Sequence, residues 1–445
     1  MSSGISCLDN RYFNDVKELI NVIDDFAYYR NRIYVELKYF ELFTSSTITY
    51  NPLIDFTYHD YQNILEKENI LKHDVKAIEY FIKDIPEVKE TEKSHLIHIG
   101  LTSQDANSLG FMMCFRDSIF IILDKLKNLI TIFTNQLITP YLDTTNELTN
   151  ESQNILMLSF THGQPATPTY FSKEMLIYKI RLDKIYEELN IFTKTELTVK
   201  FGGASGNMNA LHFALPDINW KAWADHFITL FNINDTTFKR SQNTNQCDNY
   251  DSVLTVLYMI KRMLHMLEHM RGNLWLYSHR DYLIQQNMKE EIGSSTMPHK
   301  INPIDLENAK TSIEMAKRMI DGICDILTET SYQRDISDSS ALRNISSLFG
   351  YVLMSLKKIT TGISRLNPNI KKINEELNAH PEVILEGIQT YLKVHCHIEN
   401  AYEVIKTFSR GKKITMLDIY SMIEELKIDE LHKMRLKNLT PETYI

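Results

Sequence analysis

Glycine and proline are scarce in this chain, 14 and 11 of 445 residues. Both interrupt helices, so their scarcity leaves room for long uninterrupted ones. Proline is absent from 87 to 139, 169 to 215, 217 to 297 and 304 to 367. Cysteine is also sparse. Cys7, Cys114, Cys247, Cys324 and Cys396 are scattered, odd in number and form no C-x-x-C pair. That pattern excludes a disulfide framework and a zinc knuckle, and it fits a reducing cytoplasm. Positive charge is in deficit: 48 Lys and Arg face 57 Asp and Glu, for a net charge of −9. A nucleic acid or an anionic membrane is therefore not expected as the main partner, since both are bound through excess Lys and Arg. No run reaches 18 uncharged apolar residues, and the first residues, MSSGISCLDNRYFNDV, lack a basic region followed by an apolar one. Neither a membrane span nor a signal peptide is expected. Internal repeats and low-complexity tracts are missing too.

What is present is helical period. Phe115, Ile119, Ile122, Leu126, Leu129 and Ile132 recur in steps of three and four, as do Leu254, Leu257, Ile260, Leu264 and Leu267. Strict two-residue alternation is nowhere sustained, so the spacing predicts an all-α chain with central helices of about 30 residues, each ~45–50 Å long. A chain of 445 residues is too long for one simple core. The expected divisions are an N-terminal helical domain over 1–100, a long-helix bundle over 101–365 and a C-terminal helical domain over 366–445. Helices of this length suggest a bundle packed against copies of itself.

Polar chemistry gathers where the backbone turns irregular. Residues 289–308, KEEIGSSTMPHKINPIDLEN, have no hydrophobic period. Gly293 permits a turn, Pro298 and Pro303 rule out a continuous helix, and Ser294, Ser295, Lys300 and Asn302 supply hydroxyls, a cation and an amide. That inventory suits a carboxylate-bearing substrate. In LTSQD, Thr102 and Asp105 have capping-box spacing, and the same geometry, with Ser103, makes a seat for a carboxylate at a helix N-terminus. His162, in THGQPATP, lies between a polar loop and a proline-marked helix start, with Gly163 and Gln164 beside it. Histidine exchanges protons near neutrality, which suits an acid or base there. In KHDVKAIEYF, His73 falls in line with Ala77, Tyr80 and Phe81, so a core-edge role competes with a site role that its neighbours Lys72 and Asp74 would share. Arg334 and Arg343 read equally well as surface cations.

Other patterns fail on spacing. His265, Glu268 and His269 spell an inverted zinc-peptidase motif but sit in a Met- and Leu-rich helix with no third ligand evident. His395, Cys396 and His397 are consecutive and would diverge on a helix. The string GGASGN has no G-x-G-x-x-G spacing and no strand before it, and GKK at 411–413 lacks the following Ser or Thr of a P-loop. No G-x-S-x-G elbow occurs. Neither a metal nor a cofactor is expected.

The loop at 293–307, GSSTMPHKINP with Glu307 beyond it, resembles the signature loop of the fumarase/aspartase superfamily. Taken with Arg11-Tyr12, the 73–81 helix, Thr102 to Asp105, THGQPATP, the GASGNMNA turn at 203–210 and QRDISDSSALRN at 333–344, the likeness narrows to the adenylosuccinate lyase family and covers nearly the whole chain. THGQPATP separates it from the argininosuccinate lyase branch, the competing reading. The resemblance implies three helical domains whose central long-helix bundle assembles into a tetrameric helical core. It implies β-elimination of fumarate from adenylosuccinate, giving AMP, and from SAICAR, giving AICAR. The matching positions make Ser294, on a loop expected to close, the general base. They make His162 the general acid and Glu307 its orienting carboxylate. Substrate contacts fall on Arg11, Tyr12, Lys72, His73, Asp74, Thr102, Ser103, Gln246, Ser295, Lys300, Ile301, Asn302, Asn308, Arg334, Ser339, Ser340, Ala341, Leu342 and Arg343. A helix running from Thr102 along the whole bundle would put His162 at its far end, so such a site could close only between subunits. Four positions depart from the family pattern: Lys72 for Asn, Tyr250 for a common His, and Ser205 and Leu211 in the glycine-rich turn.

Overall fold

A computed structural model describes residues 5–142, 155–233, 236–286, 296–297 and 299–445. Five long helices dominate: α1 (Ser103–Leu137), α2 (Phe171–Thr195), α3 (Asp251–His279), α4 (Ile304–Thr328) and α5 (Ile345–Ser364). The 35 residues of α1 span about 52 Å at 1.5 Å per residue. The other four have 25, 29, 25 and 20 residues, shorter than the proline-free spans allow. Thus α2 stops at Thr195 and α3 at His279, short of Pro216 and Pro298. The apolar period placed the buried faces almost correctly. Phe115 through Leu129 and Leu257 through Leu267 are fully or nearly fully buried at the expected positions, but Phe133 takes the place of Ile132 and Val253 that of Leu254.

The all-α character holds with one exception that the alternation rule passed over. Strand β1 (Leu156–Thr161) and strand β2 (Gln164–Tyr170) form an antiparallel hairpin. The other strands among the described residues are two or three residues long: Thr198–Val199 runs parallel to Lys239–Arg240, and Leu283–Gln285 antiparallel to Leu366–Pro368. A two-residue strand therefore does precede the glycine-rich turn, too short for a nucleotide-binding βαβ unit.

The chain forms two compact units. The first comprises Met1–Leu129, Leu182–His269 and Asp305–Ile359. Inside it, helices Asp25–Thr44, Tyr58–Leu71 and Asp74–Asp84 enclose a core around Ile33, Phe40, Ile64 and Ile78. Here Phe115 of α1 meets Phe349 of α5 at 5.6 Å between ring centroids. The second unit comprises Ile130–Arg181, Met270–Ile304 and Thr360–Ile445. Its core joins Leu158 of β1 to Leu377, Ile388, Ile419 and Ile423 of the C-terminal helices. A lone two-stranded hairpin is marginal in water, and this apolar backing stabilises it.

Of the described helices, α1 alone is long and apolar enough by composition to cross a membrane, and 78% of its most apolar window is buried inside the protein. That is the signature of a core helix.

Candidate active site

The first turn of α1 is organised by one carboxylate. Asp105, fully buried, accepts from the Thr102 N–H at 2.8 Å, the Gly202 N–H at 2.8 Å, the Gly203 N–H at 3.1 Å and the Lys200 ammonium at 2.7 Å. Lys200 also donates to the Gly203 carbonyl at 2.7 Å. Burial pulls the Lys200 ammonium below its ordinary range, and the Asp105 charge opposes that shift. Thr102 and Ser103 are thereby fixed to the glycine-rich turn. Gly206 of that turn has φ +82, and a Cβ there would sit 1.9 Å from the Thr244 carbonyl oxygen. Only glycine fits.

Beside this helix start lies a second cluster. Arg334 donates from Nη1 to Gln246 Oε1 at 3.2 Å and from Nη2 to Ser339 Oγ at 3.0 Å. Asp338, buried next to them, accepts from Tyr250 Oη at 2.8 Å, Gln104 Nε2 at 3.2 Å and Ser339 Oγ at 3.3 Å. The structure thus gathers three of the sequence-predicted residues, Gln246, Arg334 and Ser339. Ser340, Ala341 and Leu342 continue the short helix Ser337–Leu342, with Arg343 as its C-cap. Leu342 and Arg343 line one cavity with Ser339, Gln104, Tyr250 and Asp74. Arg11 and Tyr12 sit just before the short helix Phe13–Val16, and no hydrogen bond among the described residues ties either to Arg334.

The 72–74 string makes a corner between two helices. Lys72 ends the helix Tyr58–Leu71 with φ 55, and His73 caps the next one, its Nδ1 accepting from the Lys76 N–H at 3.2 Å. His73 is exposed, so the core-edge reading of its spacing does not hold: a residue at the N-cap lies outside the helical period. Asp74 accepts from Arg32 Nη1 at 2.6 Å, and the Arg32 guanidinium lies 4.2 Å from both the Tyr28 and the Tyr29 ring centroids. Burial works to raise the Asp74 carboxyl, but the Arg32 charge and hydrogen bond hold it below the usual carboxylate range.

In the second unit, His162 and Gly163 are the two tip residues of the β1–β2 hairpin, with Thr161 paired to Gln164. Their φ values of 55 and 73 are both positive, as a type I′ turn requires. The sequence expectation of a helix start here is corrected: Pro165 and Pro168 occupy a strand of a two-stranded ribbon, where each edge has unpaired N–H positions and proline loses no ladder bond. The imidazole is exposed at the tip. In the same unit the Lys300 N–H donates to the Met297 carbonyl at 2.9 Å, and the Asn302 carbonyl accepts from the Ile304 N–H at 2.9 Å. Lys300 and Ile301 are exposed and Asn302 half-buried. Glu307 and Asn308 belong to the first turns of α4, in the first unit. Ser294 and Ser295 lie outside the described residues.

Arg32, Gln104, Lys200 and Asp338 escaped the sequence reading. Gln104 and Asp338 carried a usable signal, the first inside LTSQD and the second four residues after Arg334, both in strings already singled out. Arg32 and Asp74 are 42 positions apart, and no spacing rule connects them.

The class to which family models assign this frame of long helices, polar cluster and glycine-rich turn is the lyases of the fumarase/aspartase superfamily. A lyase family model matches residues 49–319, and the adenylosuccinate lyase C-terminal model matches 330–445. Adenylosuccinate lyase of Dictyostelium discoideum is 34% identical, across 100% of this chain and 96% of that protein. The one from Escherichia coli K12 is 30% identical over 100% and 96%. In fold, the chain is similar to a fumarate lyase from Mesorhizobium sp. BNC1, with a TM-score of 0.73 at 14% identity over 97% of this chain and 95% of that one. It is equally similar to the 3-carboxy-cis,cis-muconate lactonizing enzyme of Pseudomonas putida, TM-score 0.73 at 15% identity over 98% and 96%. The chain belongs to the adenylosuccinate lyase family, and it is a fumarate-releasing lyase.

Proposed function

We propose that this enzyme cleaves adenylosuccinate to AMP and fumarate, and SAICAR to AICAR and fumarate, as one β-elimination. The observation that carries the reading is the cluster of Gln246, Arg334 and Ser339, held together at 3.0–3.2 Å beside a helix start. It offers a guanidinium and a hydroxyl to a monophosphate, which Arg11, Tyr12 and Arg343 would complete. In the reaction, Ser294 takes the proton from the succinyl carbon beside a carboxylate. The C–H electron pair becomes the new C=C bond, the C–N bond breaks, and His162, oriented by Glu307, gives its proton to the leaving nitrogen. Proton removal places two negative charges on one end of the succinyl group, so donors and a cation are needed there, the role this reading gives to Thr102, Ser103, Ser295, Lys300 and Asn302. A lone lysine about 4 Å from the serine oxygen offers roughly 4 kcal/mol at an effective dielectric of ~20, far less than an alcohol needs to ionise near neutrality. Backbone donors and exclusion of water must supply the rest.

The enzyme acts as a cytoplasmic homotetramer whose sites are shared between subunits. In support, α2 of the single chain exposes Ile177, Ile180 and Ile191, apolar side chains that a neighbouring copy would cover. The test is fumarate formation, read by absorbance with the purified protein, from adenylosuccinate, SAICAR and argininosuccinate in parallel. Release from the first two is expected; release from argininosuccinate alone would overturn the assignment.

A further inference from the structure

A phosphate-binding arginine beside a buried aspartate has an internal competitor. Asp338 Oδ1 stands 3.6 Å from Arg334 Nη2, an ion pair just too long for a hydrogen bond, so the guanidinium fork is not consumed. The other oxygen, Oδ2, is turned away by the Tyr250 hydroxyl at 2.8 Å and by Gln104 Nε2 at 3.2 Å. Without those two donors, only the Ser339 hydroxyl, 3.3 Å from Oδ1, would oppose the carboxylate closing on Arg334 in a bidentate pair, the geometry that guanidinium and carboxylate favour.

We propose that Tyr250 is a positioning residue for phosphate recognition: its hydroxyl, with Gln104, restrains Asp338 so that Arg334 stays open to the substrate. The inference rests on the reading of Arg334 and Ser339 as the phosphate seat. Three further observations support it. Tyr250 is 4% exposed, and its main chain is held at φ 58, so the ring has little freedom to swing away. Burial keeps the phenol well above its ordinary range, with Asp338 adding to the shift, so it remains a donor throughout the working pH range. Arg334 Nε, buried, has no hydrogen-bond partner among the described residues, so the guanidinium is anchored but not saturated. At this position a histidine would change its donor capacity near neutrality, whereas the phenol does not.

Inhibition by the two products separates phosphate recognition from general loosening, because AMP carries a phosphate and fumarate does not. For Tyr250→Phe, which keeps the ring, the AMP inhibition constant is expected to rise about tenfold while that of fumarate stays within about twofold. In the Asp338→Asn background no carboxylate remains to capture Arg334, so adding Tyr250→Phe should change AMP binding by less than about twofold. Equal weakening of AMP and fumarate would overturn the proposal, and so would a Tyr250→Phe effect undiminished beside Asp338→Asn. Arg334→Ala tests the underlying seat. If it leaves AMP binding unchanged, the phosphate reading falls and this inference with it. If it weakens AMP while Tyr250→Phe does not, only the inference falls.

Discussion

At the scale of the residue, burial decides what a polar side chain can do. Asp248 is 5% exposed, and among the described residues no cation is bonded to it. Burial pushes its carboxyl up to about 6, against hydrogen bonds from the Ser241 hydroxyl and the Asn249 N–H. Its folded value lies above the unfolded one, 3.8. The folded state therefore holds the extra proton between about 4 and 6, and stability falls as pH rises through that window. Above it the fold carries an ionised carboxylate that water would solvate better. In thermal unfolding, the Tm of Asp248→Asn relative to the parent should improve from pH 5 to pH 8; an unchanged gap would mean the carboxyl is ionised at both. Glycines separate in the same way. Gly206→Ala meets both a left-handed φ and a carbonyl 1.9 Å away, and should cost about 3 kcal/mol or more. Gly163→Ala meets only the φ of +73, with open space around it, and should cost roughly 1–2 kcal/mol. Chemical denaturation of the two variants would show that order.

At the scale of the element, the buried Lys200–Asp105 pair sets the register between the start of α1 and the glycine-rich turn. Lys200→Met leaves a carboxylate with no compensating charge at a position of zero exposure, which should cost about 3–5 kcal/mol. Adding Asp105→Asn should recover part of that loss, because the amide oxygen still accepts from the backbone N–H groups while the buried charge is gone. A double-mutant cycle on unfolding free energies measures the coupling, and simple additivity would mean the pair is not a unit. The hairpin shows how far elements can be read from sequence. The long helices were legible because a 3.6-residue period repeats over many turns. The β1–β2 ribbon was not, because six or seven residues with a register shift between Leu158 and Phe160 never complete a clean alternation. What sets this ribbon is the positive φ at His162 and Gly163 together with the apolar backing of the C-terminal helices.

At the scale of the whole molecule, the proposed sharing of sites between subunits makes a distinctive prediction. Ser294→Ala and His162→Ala proteins, each inactive alone, should regain partial activity when their subunits are exchanged, since some mixed sites receive an intact serine and an intact histidine. Verified exchange with no recovery would count against sites built from several subunits. The sequence by itself determined the helical class, the buried faces of α1 and α3, and the polar strings in which chemistry is concentrated. These follow from local period and from residue type. Only the tertiary structure decided that Asp105 faces Lys200 across 95 positions, that Asp74 is held by Arg32, and that Asp338 stands between Tyr250 and Arg334. Such partners meet because distant segments bury a charge together, and the cost of leaving it unpaired acts through space, where chain spacing leaves no mark.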